Sequence, residues 1–110
     1  GQTKDDIKKS DKQYQIYQLK EEDTLDSLRL GLRQVYYQLV SLEKSLDAKK
    51  IAMDRASEVY KLEQERYSYQ LITLRDLLSA ETQLRQSKID YISTKLNYYY
   101  LVSKYGAYLD

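Results

Sequence analysis

Histidine and cysteine are both missing from this sequence. The usual general base, the thiolate nucleophile, disulfides and the commonest metal ligand therefore drop out of its chemistry together. What remains is carboxylate, ammonium, guanidinium and phenol. Among the carboxylates Asp76 has the most telling neighbour, because Thr73 stands three residues before it. At that spacing a hydroxyl and a carboxylate can exchange hydrogen bonds with each other's backbone amides at a helix start. No glycine-rich phosphate loop is present, and no spacing argues for two carboxylates meeting in a water-excluded pocket. We therefore expect no catalytic residue, no enzymatic activity, no metal site and no cofactor. Tyr91, Tyr98 and Tyr105 have rings that could stack on a ligand, but their seven-residue spacing assigns them to a packing seam with hydroxyls at its rim. Mixed charges such as Glu63, Glu65 and Arg66, or Lys49 and Lys50, read as solvated helix faces.

The elements that carry these residues are helical. Proline is absent, glycine occurs only at 1, 31 and 106, and Leu, Lys, Glu, Gln, Arg and Ala favour helix almost throughout the 110 residues. Eighteen basic residues against 17 acidic ones leave a net charge of +1, so no broad positive field exists to hold nucleic acid. No apolar run approaches the roughly 18 residues of a spanning helix, and the opening GQTKDDIKKS is not a signal peptide.

From Leu25 the apolar residues fall at Leu28, Leu32, Val35, Leu39, Leu42 and Leu46, in alternating steps of three and four. That is the seam of a left-handed coiled coil. It continues more loosely through Met53, Ala56, Tyr60 and Tyr67, with Lys49 and Glu63 interrupting it, and backwards through Tyr14 and Ile7, with Glu21 interrupting it there. Thr3 and Asp6 are spaced as a capping box for this first helix. A second helix begins at Thr73, with Ile72 and Leu77 at the positions of a hydrophobic staple. Its seam runs Leu77, Leu84, Tyr91, Tyr98, Tyr105, joined by Ala80, Ser87, Thr94, Leu101 and Tyr108, and Gly106 is placed as its C-cap.

The chain thus reads as all-α: a long antiparallel coiled-coil helical hairpin with unequal arms, a single unit over 1–110. The long helix covers about 3–68, the tip 69–72 and the short helix about 73–105. At roughly 1.5 Å per residue the arms measure about 100 Å and about 50 Å. The short arm then leaves the seam from Ile7 to about Leu32 without an intrachain partner. Leu78, Ile89, Ile92, Leu96 and Tyr99 form a second apolar stripe on the short arm, as expected of a helix with neighbours on two sides.

The tip and the short arm resemble the TolC-like outer-membrane efflux proteins, specifically the periplasmic helical hairpin of their second repeat. That family's pattern is close to R-Y-x-x-G-x-x-[ST]-x-x-D-L-L, and Arg66, Tyr67, Thr73, Asp76, Leu77 and Leu78 match it. The segment from Ser79 to Gly106 resembles the family's closing helix, and Gly1 falls where the family has the last glycine of the turn leaving a barrel strand. The likeness covers nearly the whole chain, which would then be an excised hairpin of a channel. Two positions depart from the pattern. Gln70 replaces the tip glycine, which predicts a local difference in tip conformation, and Ser79 stands where some members carry a second acid.

The resemblance implies a tunnel-wall segment of an outer-membrane efflux or type I secretion channel, a homotrimer whose hairpins lie in the periplasm. It implies that Gln70, Leu71, Ile72 and Thr73 dock a periplasmic adaptor (membrane fusion) protein, with Leu71 as anchor. Three copies of Asp76 would ring the entrance, where clustered carboxylates favour cations; completion of the Thr73 cap is the simpler role, and the two can coexist. The alternative is a free-standing structural hairpin, an adhesin or adaptor stalk. In either case the uncovered half of the long arm predicts self-association, with a second copy packed antiparallel.

Overall fold

The computed structural model describes residues 2–109 and is helical apart from one short turn. Helix α1 spans Gln2–Ser68 and α2 spans Leu74–Leu109. These are the two unequal arms, and the fold is the all-α hairpin that the periodicity predicts. No helix among the described residues is long and apolar enough to cross a membrane. The Gly1 correspondence lies outside the described residues. The chain divides between Val35 and Tyr36 into two compact units.

The first unit is the N-terminal part of α1. Every side chain from Gln2 to Leu30 is exposed, including Ile7, Tyr14, Tyr17, Leu25 and Leu28. Thr3 lies inside the helix instead of capping it, because α1 already begins at Gln2.

The second unit pairs the remainder of α1 with α2. Along α1 the half-buried positions include Leu39, Leu42, Leu46, Lys49, Met53, Ala56, Tyr60 and Glu63, an unbroken three-four alternation, with Val40, Ser45 and Ser57 half-buried at its flanks. Lys49 and Glu63, expected to interrupt the seam, keep their places in it. A lysine can lay its aliphatic stem along an apolar surface while its ammonium reaches water. Glu63 is held by a 2.8 Å ion pair with Arg66 one turn on. Tyr67 is the residue that leaves the row, exposed where α1 ends.

On α2 the facing row is Leu77, Ala80, Leu84, Ser87, Tyr91, Thr94, Tyr98, Leu101 and Tyr105, all half-buried or buried. Shared grooves show that the arms are antiparallel: Ala56 and Val59 lie with Ala80 and Gln83, Tyr60 with Leu84, and Leu39 and Glu43 with Tyr98 and Val102. The interface is one layer thick. Among the described residues only Leu84 and Leu101, at 9% and 8% exposure, are buried apolar residues, and buried Ser87 turns its hydroxyl to the Leu84 carbonyl of its own helix at 2.8 Å. A two-helix pair has no third element to close over its seam, so half-burial is the rule.

Two expectations at the far end of α2 are corrected. Gly106 does not cap the helix, which continues through it to Leu109, and no described glycine has a positive φ. Ala107, Tyr108 and Leu109 carry no stop signal, and a single helical glycine costs only about 1 kcal/mol. Tyr108 is exposed, so the seam ends at Tyr105. The second apolar stripe is present as read, with Leu78, Ile89, Ile92, Leu96 and Tyr99 all at least half exposed.

Candidate functional site: the hairpin tip

The tip is built from two helix ends, each closed by its own hydrogen bonds. At the end of α1 the Leu71 amide donates to the Arg66 carbonyl and the Gln70 amide to the Tyr67 carbonyl, both at 2.9 Å. This pair of bonds is a Schellman motif, which needs a left-handed residue at its penultimate position. That residue is Gln70, with φ of 61°. Gln70 thus adopts the left-handed conformation that glycine takes at least cost, with strain between its Cβ and the backbone. The Ser68 hydroxyl adds a 2.6 Å bond to the Glu65 carbonyl.

At the start of α2 the capping box is reciprocal. The Thr73 amide donates to Asp76 Oδ2 and the Asp76 amide donates to Thr73 Oγ1, each at 3.2 Å, while the Leu77 amide meets the Thr73 carbonyl at 3.2 Å. Negative charge at Asp76 also suits the positive end of the α2 dipole. Ile72 and Leu77, the staple residues, are both half-buried.

This double closure decides what the tip presents. Gln70, Leu71 and Thr73 are exposed, Leu71 at 72%, whereas Ile72 is half-buried. Tyr69, at 70%, and Leu74 are exposed beside Leu71, and neither belongs to the tip residues named from sequence. The signal that could have found them is their register: neither occupies a seam position of its arm. The exposed apolar surface is thus Tyr69, Leu71 and Leu74, held on a turn whose backbone bonds are made.

Asp76 lies on the side of the tip, exposed, in a groove of about 380 Å³ lined also by Val59, Glu63, Ser79, Ala80 and Gln83. Two carboxylates, Glu63 and Asp76, thus reach one groove from opposite arms, a juxtaposition that the spacing did not suggest. Both are already engaged, Glu63 with Arg66 and Asp76 with the Thr73 amide. Among the described residues no group of three or more acidic side chains converges as a metal site would require.

Away from the tip, tyrosines and lysines share faces of α2. The Lys95 ammonium lies 5.6 Å from the Tyr91 ring centroid, and Lys104 lies 5.7 Å and 5.2 Å from those of Tyr100 and Tyr105. The neighbouring Tyr105 phenol, followed by that of Tyr100, raises the Lys104 pKa above its ordinary value.

No family model, characterised protein or solved structure matches the chain.

Proposed function

We propose that the chain is a periplasmic tunnel-wall hairpin of an outer-membrane efflux or type I secretion channel, and that its tip docks a periplasmic adaptor protein. The observation that carries the reading is the tip itself. A turn with the Arg66, Tyr67, Thr73, Asp76, Leu77 and Leu78 pattern holds Leu71 out in solvent on a closed backbone. An exposed apolar side chain on a preorganised support loses little freedom on binding, which is what a docking anchor requires. Tyr69 and Leu74 extend the anchor. Two apolar faces on α2, one turned to α1 and one exposed at Ile89, Ile92, Leu96 and Tyr99, suit a helix set in a wall between neighbours, as in a homotrimeric barrel. Asp76 serves first as a cap. Its exposed position leaves a ring of such carboxylates at the entrance compatible with that role.

The test is Leu71→Asp in the full-length parent protein. Loss of adaptor binding and of export with normal assembly supports the reading, and unchanged binding and export refute it. A parent reading frame with a secretion signal and no amphipathic strands would favour the free-standing stalk instead.

A further inference from the structure

Away from the tip, a groove of about 310 Å³ opens between the paired arms, lined by Tyr36, Leu39 and Val40 from α1 and by Tyr98, Val102 and Gly106 from α2. Nothing in the backbone requires a glycine at 106. The residue is helical without a positive φ, and glycine inside a helix weakens it. A side chain there would stand beside Val102, whose Cγ1 lies 3.6 Å from where a Cβ would be, so the glycine leaves space in the groove. The groove also carries one sign of charge. Among the residues lining it Glu43 alone is charged, and it takes part in neither of the ion pairs found among the described residues. Its helix neighbour four residues on is a second carboxylate, Asp47, where a base would have neutralised it. The lysines of this part of α2 do not line the groove: Lys95 lies over the Tyr91 ring, and Lys104 over those of Tyr100 and Tyr105.

We propose that this groove binds a small organic cation with an aromatic ring, of which a benzylic quaternary ammonium is the simplest member. The ring faces of Tyr36 and Tyr98 attract a weakly hydrated cation, and the Glu43 carboxylate supplies its counter-charge. Leu39, Val40 and Val102 take the apolar ring out of water. An anion would meet a carboxylate and the negative faces of two rings, and a neutral ligand would leave Glu43 without a partner. The volume stands at the lower end of the roughly 300 to 1,000 Å³ of small-molecule sites, which suits a ligand of one or two rings. The inference goes beyond the channel reading and does not depend on it, since it uses no residue of the tip.

The test is an NMR titration of the isotope-labelled full chain with benzyltrimethylammonium, following the methyl groups of Leu39, Val40 and Val102. Their shifts should saturate with a Kd on the order of 1 mM, as expected of a ligand this small in an open groove. Benzenesulfonate, a ring of similar size with the opposite charge, should produce no saturating shift. Glu43→Gln should weaken binding roughly fivefold. Gly106→Leu should abolish it by filling the groove, while circular dichroism shows the helices intact, since leucine is the better helix former. Gly106→Ala should weaken binding even as it stabilises the helix, which separates loss of the site from loss of the fold. Shifts that stay linear to about 10 mM, equal binding of benzenesulfonate, or an affinity unchanged by both Glu43→Gln and Gly106→Leu would each overturn the proposal.

Discussion

Gln70 offers the sharpest thermodynamic test of the hairpin. Its φ of 61° places a residue with a Cβ in the left-handed region, at the position where the Schellman motif ending α1 demands it. Strain of this kind costs a non-glycine residue roughly 1 to 2 kcal/mol. Glycine removes it but enlarges the conformational freedom of the unfolded chain, which returns about 0.5 to 1 kcal/mol. The net expectation for Gln70→Gly is a gain of about 1 kcal/mol. For a cooperative unit of 60 to 100 residues this corresponds to a rise in Tm of about 4 to 8 °C. A β-branched residue should do the opposite, because it tolerates positive φ least, so Gln70→Val should melt below the unmodified chain. The assay is thermal and urea unfolding followed by circular dichroism at 222 nm, with the chain dilute enough to suppress association. If Gln70→Gly melts at or below the unmodified midpoint, the left-handed turn is not the conformation that ends α1.

Other substitutions probe the remaining joints of the hairpin. Thr73→Ala removes one half of the capping box and should cost about 1 kcal/mol in urea unfolding, with Thr73→Ser recovering most of it. Gly106→Ala should raise stability by about 0.8 kcal/mol, since the position is helical and the new methyl would meet only Val102 Cγ1, at an ordinary 3.6 Å; a lower Tm would contradict helix through this residue. Leu84→Ala should cost about 2 to 3 kcal/mol, while Ile89→Ala in the hairpin alone should stay within about 0.5 kcal/mol, and equal losses would mean that the seam has been assigned to the wrong face.

The parts of the fold visible in the sequence are those in which several local signals agree. The tip boundary rests on Thr73, Asp76, Ile72 and Leu77, and all four take part as read: two exchange cap bonds and two are half-buried. The seams were visible because a three-four alternation has one geometric solution for two antiparallel helices. Residue type misleads where position decides. Lys49 and Glu63 look like interruptions because they are charged, yet a long side chain can occupy a seam position and still reach water. Gly106 carries the composition of a cap, but nothing after it stops the helix. Gln70 carries no left-handed signal at all; its φ is imposed by the bonds that close the end of α1. The exposed surface of the tip was only half read, since Tyr69 and Leu74 are apolar by type and only their places off the seams of their arms mark them as outward.

The central claim, that the chain doubles back at the tip, reduces to one distance. Spin labels on cysteines at Lys44 and Asn97, both exposed, would sit beside Glu43 and Tyr98, which line a common groove across the two arms. With labelled chains diluted into unlabelled ones, the hairpin predicts a single distance of about 20 to 30 Å, given helix axes about 8 to 10 Å apart and two label tethers. A distance near 80 Å, the span of one unbroken helix between those residues at about 1.5 Å per residue, would contradict it.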